Sequence, residues 1–212
     1  LHDVIEDTDF GSVEIEEKFG KEISEIVISL TKLTVDEDTL IKNLDEKNMR
    51  RFLVSVAKDV RVMIIKLADR LHNVETLKFL DPEKRKKIAK ETLSIHAPLA
   101  QKIGMNDLKW RLEDESFKHL MPDKFKMTKR LISQKRSERE AATKNMISEI
   151  NEYLEKSDLK AEVTGRPKNL FSVYNKLQRY KQMGRNFSDI EDLIAIRIVV
   201  KSKEECYKQK ID

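Results

Sequence analysis

The fold is decided by the stretch VMIIKLADRLHN, residues 62–73, which passes from an apolar run into polar residues without a glycine or proline. The apolar residues from Val62 to Ala68 are compatible with a central helix or a buried strand. Because no helix-breaking residue follows them, we predict one helix that continues through Asn73. Asp69 then lies at a buried helix face, where a carboxylate is costly unless it is ion-paired or bound to a metal.

Two interpretations of Asp69 follow from this stretch alone. In the first, the adjacent Arg70 pairs with the carboxylate, and the residue is structural. In the second, Asp69 is a metal ligand, and Asn73 shares its helix face because the two residues are four positions apart. Both interpretations stay open on these residues.

Helices joined by short loops are expected from Leu1 to about Leu120. Apolar residues recur at helical spacing in two further segments, Ile23, Ile26, Val27 and Leu30 in one and Leu53, Val56, Ala57 and Val60 in the other. Downstream, Asp81 followed by Pro82 is typical of a helix start, and Gly104 is typical of a helix end. We therefore predict a helix between them.

The sequence changes character after Ser157. The preceding residues, 122–157, are basic and then amphipathic, which predicts a long connecting helix. The elements predicted after it are a strand at 159–164, a break at 165–168, a helix at 169–179 and a strand at 194–200. This order is the β-α-β start of a second, mixed domain.

Composition excludes several classes of protein. Charged residues make up 38% of the 212, against about 25% in an average globular domain, which favours long solvated helices. The net charge of +4 is small beside 42 basic residues, so a general polyanion-binding protein is not indicated. The single cysteine, Cys206, excludes an internal disulfide. No apolar run approaches the roughly 18 residues of a membrane span, so we expect a cytoplasmic protein without a membrane partner.

A cluster of polar side chains opens the sequence. His2 and Glu6 are four residues apart, as are Asp3 and Asp7, so a helix would bring each pair to one surface. An imidazole beside carboxylates suits a divalent transition ion, and the second acidic pair could act on water or substrate beside it. On these residues alone, a solvated acidic cluster at a helix end is the simpler explanation.

Three longer strings carry a resemblance to a known family. They are LHDVIEDT at 1–8, DVRVMIIKLADRLHNVETL at 59–77 and IAKETLSIHAPLA at 88–100. Together they resemble the hydrolase domain of the RelA/SpoT enzymes, which belong to the HD phosphohydrolases and break down the guanosine alarmone (p)ppGpp. The resemblance implies an all-helical HD-type domain with (p)ppGpp 3′-pyrophosphohydrolase activity.

The resemblance also implies roles for individual residues. The implied Mn²⁺ ligands are His2, Asp3 and Asp69, the catalytic acidic pair is Glu6 and Asp7, and the guanosine nucleotide pocket contains Asn73 and Thr76. A further histidine ligand would lie upstream of this chain. The ion would acidify water for attack on the 3′-diphosphate. We expect structural roles for His72 and His96.

Basic residues and a hydroxyl follow the predicted break at one-turn spacing. Lys168, Ser172, Lys176 and Arg179 would share one helix face. Such a face near a helix N-terminus suits a polyphosphate. Asp192 precedes the second strand and could hold Mg²⁺. On these residues alone, an ordinary solvated basic helix is an equal alternative.

The strings GRPK at 165–168, SVYNKL at 172–177 and DLIAIRIVV at 192–200 resemble the start of the RelA/SpoT synthetase domain. That domain is α+β and nucleotidyltransferase-like. The resemblance implies an ATP site at Arg166, Lys168, Ser172, Lys176, Arg179 and Arg197, with Mg²⁺ at Asp192. Pyrophosphate would pass from ATP to the 3′-hydroxyl of GDP or GTP.

The predicted organisation is mainly α, with a hydrolase domain at 1–121, a connecting helical segment at 122–157 and the start of a synthetase domain at 158–212. Both domains are expected to be incomplete, and the isolated chain a weak or inactive catalyst. The resemblance implies guanosine nucleotides and ATP as ligands, and ribosome association through regions outside this chain. The alternatives are another HD phosphohydrolase, acting on deoxynucleotides or cyclic nucleotides, a degenerate regulatory module, and a basic RNA-binding helical protein.

Overall fold

The computed structural model describes residues 2–42, 59–134, 136–157, 160–187, 190 and 194–208. These residues are mainly helical with one small sheet, which confirms the predicted fold class. The chain forms two compact units, unit 1 (Leu1–Ser116) and unit 2 (Phe117–Asp212). The three-part division at residues 121 and 157 stays a prediction.

Unit 1 is built from helices. They are α1 (His2–Asp7), α2 (Ser12–Phe19), α3 (Lys21–Lys42), α4 (Val60–Glu75), α5 (Pro82–Glu91), α6 (Ala97–Lys102) and most of α7 (Asn106–Leu120). A 3₁₀ turn at Leu77–Phe79 and a π-helical segment at Thr92–His96 join them. Helix α3 packs against α1, α2 and α4, and α4 also packs against the π-helical segment.

Helix α4 contains the stretch from which the fold was predicted, and its helical conformation is confirmed. Asp59 is its N-cap and accepts a hydrogen bond from the amide of Arg61. The buried face consists of Val62, Met63, Leu67, Leu71 and Val74. Ile64 and Ile65 are 41% and 40% exposed. The helix is therefore amphipathic and is not enclosed by other elements on all sides. Val60, which belongs to the second apolar repeat in the sequence, is 56% exposed.

The other periodic segment falls in α3. Val27 and Leu30 are buried there as predicted, whereas Ile23 is 40% exposed and does not belong to the core. Three members of the second apolar repeat, Leu53, Val56 and Ala57, lie outside the described residues.

The helix predicted between Asp81 and Gly104 is present, with one change. The Asp81 carboxylate accepts from two backbone amides at 3.1 and 2.9 Å. Gly104 has φ of 80°, and the amide of Met105 donates to the carbonyl of Ala100 at 2.9 Å, as in a Schellman cap. Between these ends the helix widens into the π-helical turn at Thr92–His96, which the 3.6-residue pattern did not predict.

Unit 2 combines helices with a two-stranded sheet. After the end of α7 come α8 (Pro122–Gln134), α9 (Arg136–Lys156), β1 (Glu162–Pro167), α10 (Leu170–Gln182), β2 (Ile194–Val199) and α11 (Lys203–Lys208). The strands pair antiparallel, with Gly165 opposite Ile196. Helix α9 packs on the sheet and α8 packs on α10, around a core of Val173, Leu177 and Ile190.

The β-α-β order is confirmed, but the first strand lies later than predicted, at Glu162–Pro167 instead of 159–164. The supposed break at Gly165, Arg166 and Pro167 therefore belongs to the strand. Pro167 is tolerated because β1 is an edge strand of the two-stranded sheet that the structure describes. Gly165 is required by packing, since a Cβ there would lie 2.2 Å from Cγ2 of Thr143 on α9.

The connecting segment is helical on both sides of Lys135. It contains the two helices α8 and α9, and Lys135 between them is outside the described residues. Among the helices that the structure describes, none is both long and apolar enough to cross a membrane.

Candidate functional site

The His-Asp and Glu-Asp pairs lie on α1, which spans His2–Asp7. Thr8 ends this helix by donating its hydroxyl to the carbonyl of Val4 at 2.6 Å. The helix places residues 2 and 6, and residues 3 and 7, one turn apart, as the motif predicted. Asp3 is exposed. The side chains of His2, Glu6 and Asp7 lie outside the described part of the structure, so their roles stay predictions.

The second part of the candidate site is a strip of polar side chains along α4. Asn73 Nδ2 donates to Asp69 Oδ2 at 3.0 Å. Thr76, the C-cap residue, donates its hydroxyl to the carbonyls of His72 and Asn73 at 3.0 and 3.1 Å. Residues 69, 73 and 76 are spaced at i, i+4 and i+7, so the three side chains follow one another along the helix surface.

Asp69 is half-buried beside the apolar face of α4, not at the buried face that the sequence predicted. Asp69 accepts a hydrogen bond from Asn73, and the predicted structural partner, Arg70, lies against Glu91 instead, with 3.9 Å between Nη1 and Oε2. Sequence reasoning assigned no role to Glu91. No pattern along the chain signals this pair, because its two residues are 21 positions apart.

Helix α3 is the element that connects the two parts of the site. It packs against both α1 and α4. The helices that carry Asp3 and Asp69 are therefore supported by the same neighbour within unit 1.

The donor set suits a divalent transition ion. His2, Asp3 and Asp69 combine an imidazole with two carboxylates. The amide of Asn73 donates to Oδ2 of Asp69, as an outer-shell partner of a ligating carboxylate would. Within the described side chains, no three metal-ligating groups cluster, but His2 is not among those described. The complete ligand set stays a prediction.

The two downstream histidines occupy different environments. His72 is exposed on α4. His96 is fully buried at the end of the π-helical segment. The structural role predicted for His96 agrees with its position in the core of unit 1.

The predicted polyphosphate face lies on α10. Ser172, Lys176 and Arg179 follow one another at i, i+4 and i+7, beside the buried face formed by Val173 and Leu177. Lys168 comes directly before Asn169, the N-cap residue. The N-terminal amides of this helix therefore lie next to the basic strip.

Two further contacts shape this basic region. The Lys176 ammonium lies 5.3 Å from the ring centroid of Tyr180, on the same helix. Arg197 is exposed on β2, directly opposite Thr164 of β1. The side chain of Arg166 and all of Asp192 lie outside the described residues. The ATP and Mg²⁺ assignments stay predictions.

Family comparisons match both units. The HD domain family matches residues 1–106. The chain belongs to the HD domain family. Residues 165–210 match the region found in RelA / SpoT proteins. The predicted HD domain of unit 1 and the predicted RelA/SpoT region of unit 2 are therefore both confirmed, by matches that include α1 and α4 in one and α10 and β2 in the other.

Curated relatives match almost the whole chain. A probable guanosine-3′,5′-bis(diphosphate) 3′-pyrophosphohydrolase of Synechocystis is 41% identical over 98% of this chain and 27% of its own length. A GTP pyrophosphokinase of Streptomyces coelicolor is 40% identical over 98% and 24%. The bifunctional (p)ppGpp synthase/hydrolase SpoT of Escherichia coli is 36% identical over 98% and 29%. The chain thus spans about a quarter of the length of these relatives.

Proposed function

We propose that unit 1 is a Mn²⁺-dependent (p)ppGpp 3′-pyrophosphohydrolase. The observation that carries the proposal is the strip on α4, where the Asp69 carboxylate is oriented by Asn73 at 3.0 Å and Thr76 follows one turn later. The HD domain match and the activity named for the Synechocystis relative support it. Hydrolysis would release pyrophosphate and leave GDP or GTP.

The residues divide the chemistry between them. His2, Asp3 and Asp69 would hold the divalent ion, which when bound acidifies water and offsets phosphate charge. Glu6 or Asp7 would accept a proton as water attacks the phosphorus of the 3′-diphosphate. The bond between this phosphorus and O3′ then breaks, and O3′ takes up a proton to become the 3′-hydroxyl.

Thr76 and Asn73 would contribute to recognition of the nucleoside. The Thr76 hydroxyl proton is already engaged by the carbonyls of His72 and Asn73. Toward a ligand, this oxygen therefore acts as an acceptor. The Asn73 amide shares one N–H with Asp69 and retains its carbonyl oxygen for the same purpose. The strip thus favours a ligand that presents N–H or O–H groups, as guanosine does.

Replacing Asp69 tests the proposal. We expect Asp69→Ala in the full-length protein to abolish Mn²⁺-dependent release of pyrophosphate from ppGpp. Asp59→Asn is the matched control, since it alters a carboxylate at the other end of α4 and should leave turnover intact. Unchanged turnover in Asp69→Ala would remove this residue from the site. Turnover of deoxynucleotides or cyclic nucleotides without turnover of ppGpp would identify a different HD phosphohydrolase.

A second activity, (p)ppGpp synthesis, is favoured by the strip on α10. Ser172, Lys176 and Arg179 line one side of this helix from its first turn to its last, in the region that matches RelA / SpoT proteins. These residues would bind ATP with Lys168, Arg166 and Arg197, and Asp192 would hold Mg²⁺. Pyrophosphate would then move from ATP to the 3′-hydroxyl of GDP or GTP, releasing AMP.

A matched pair of lysines tests this second activity. In the full-length protein, Lys176→Met should weaken ATP binding and slow AMP release. Lys181→Met removes an exposed lysine from the opposite side of the same helix and should change neither. Equal effects of the two substitutions would contradict the assignment of the strip. Strong, salt-sensitive RNA binding without turnover of any nucleotide would favour the RNA-binding alternative.

A further inference from the structure

We propose that Arg70 and Glu91 are positioning residues for the metal site of unit 1, acting through Asp69. The inference rests on the proposed hydrolase function, because it assumes that Asp69 is a metal ligand. It adds a role for two charged side chains that the mechanism itself does not use. Both belong to the quoted motifs, Arg70 directly after Asp69 and Glu91 three residues into the string 88–100.

The pair differs from the other ion pairs between helices of unit 1 that the structure describes. Its side chains are only 13% and 15% exposed, with 3.9 Å between Nη1 and Oε2. The pair Arg61–Glu22 is 53% and 75% exposed, and Arg111–Glu75 is 62% and 41% exposed. Charges withdrawn from water are screened less by solvent and salt than surface charges, and loss of one partner leaves the other buried and uncompensated. The Arg70–Glu91 pair therefore constrains how its two helices pack, whereas the exposed pairs contribute little to stability.

The Arg70–Glu91 pair constrains α4 at the residue directly after Asp69. Arg70 links α4 to the junction between α5 and the π-helical segment, against which α4 packs. Successive residues project about 100° apart around a helix, and side-chain ends lie about 5 Å from its axis. A rotation of α4 by about 20° would therefore move the Asp69 carboxylate by roughly 2 Å. Metal–ligand distances tolerate only about 0.2 Å, so the orientation of α4 decides whether this carboxylate reaches the ion.

Glu91 is itself held in place on its own helix. The Lys87 ammonium lies 3.9 Å from Oε1, while Arg70 faces Oε2. The π-helical turn that follows is braced by the Thr92 hydroxyl, which donates to the carbonyl of Ile88 at 2.8 Å. The pair thus connects the helix that carries Asp69 to a fixed point in unit 1.

The test measures Mn²⁺ binding directly in the full-length protein, by the electron paramagnetic resonance signal of free Mn²⁺. We expect Arg70→Met and Glu91→Gln to weaken Mn²⁺ binding by at least about tenfold, the usual effect of losing an outer-shell partner. Arg61→Met is the matched control, because it removes an arginine ion pair from the first turn of the same helix, and its Mn²⁺ affinity should stay within twofold of the wild type. Arg70→Lys should recover most of the lost affinity, since it restores the charge.

Thermal unfolding of each variant separates positioning from general destabilisation. Glu91→Gln preserves the shape of the side chain and keeps the test valid if Arg70→Met does not fold. Mn²⁺ affinities in Arg70→Met and Glu91→Gln that match those of Arg61→Met would overturn the inference. If Asp69→Ala also left Mn²⁺ binding unchanged, the proposed function would fail as well. A loss of binding in Asp69→Ala alone would overturn the positioning role and leave the hydrolase proposal intact.

Discussion

The close approach of α9 to β1 at Gly165 leads to a quantitative prediction. In Gly165→Ala, the new Cβ would lie 2.2 Å from Thr143 Cγ2 and 3.2 Å from Ile147 Cδ1. Ordinary carbon–carbon contacts are about 3.5–4.0 Å, so α9 and β1 must separate by more than about 1 Å, or distort. The Ile147 methyl can move away, but Thr143 is β-branched on a helix, and its χ1 has few alternatives.

Overpacking of this kind costs about 1–3 kcal/mol, and we expect Gly165→Ala to destabilise unit 2 by that amount. Thr143→Ala alone removes one methyl group and the hydroxyl, and should cost about 1 kcal/mol or less because Thr143 is only half-buried. The double variant should be more stable than the sum of the two single effects, since the obstructing Cγ2 is gone.

Two optical signals make the measurement specific. The single tryptophan, Trp110, lies in unit 1, whereas far-UV circular dichroism reports on both units. In Gly165→Ala, the circular dichroism transition of unit 2 should move to a lower urea concentration. The Trp110 fluorescence transition, which reports on unit 1, should keep its midpoint. The packing argument would be refuted if the effects of Gly165→Ala and Thr143→Ala on stability were strictly additive in the double variant. It would also be refuted if Gly165→Ala were as stable as the wild type.

The remaining predictions concern stability. Arg85 donates to the carbonyls of Leu77, Lys78 and Leu80, so Arg85→Met should lower the melting temperature more than Lys86→Met, which loses only an exposed pair. The Arg61 side chain donates to Asp59 and so lowers the pKa of this carboxyl from its ordinary 3.8. The stability that Asp59 contributes, and that Asp59→Asn removes, should therefore be fully present above pH 3.8. It should disappear as the pH falls through the lowered pKa. Phe117→Ala should destabilise unit 2 by about 3–5 kcal/mol, measured by urea unfolding, because its buried ring packs on three aromatic rings.

Local patterns predicted the parts of the fold that depend on neighbours in sequence. The helix at α4, the Asp81 cap and the left-handed Gly104 all follow from residues within about one turn. The strip of Asp69 and Asn73 is equally local, because helical spacing alone places the two side chains together. For the same reason the order of elements in unit 2 was predictable.

The errors share a physical cause, which is packing between distant segments. Gly165 resembles a strand breaker until α9 is placed against it, where the missing side chain is required for contact. Ile23 and Val60 fit an apolar repeat, yet the neighbouring helices do not cover them. A hydrophobic repeat shows which residues can be buried, and the arrangement of other elements decides which of them are.

Arg70 shows the same limit at the candidate site. The sequence offers its guanidinium an adjacent carboxylate, and the structure places it against Glu91, on a different helix. Adjacent residues on a helix project about 100° apart, which directs Arg70 toward the π-helical segment while Asp69 faces the polar strip. In the proposed site, the two adjacent charges of the motif would serve different purposes: Asp69 would ligate the ion, and Arg70 would fix the helix that carries Asp69. A motif conveys the residue types of a site, whereas the partner of each charge depends on which helices come together around it.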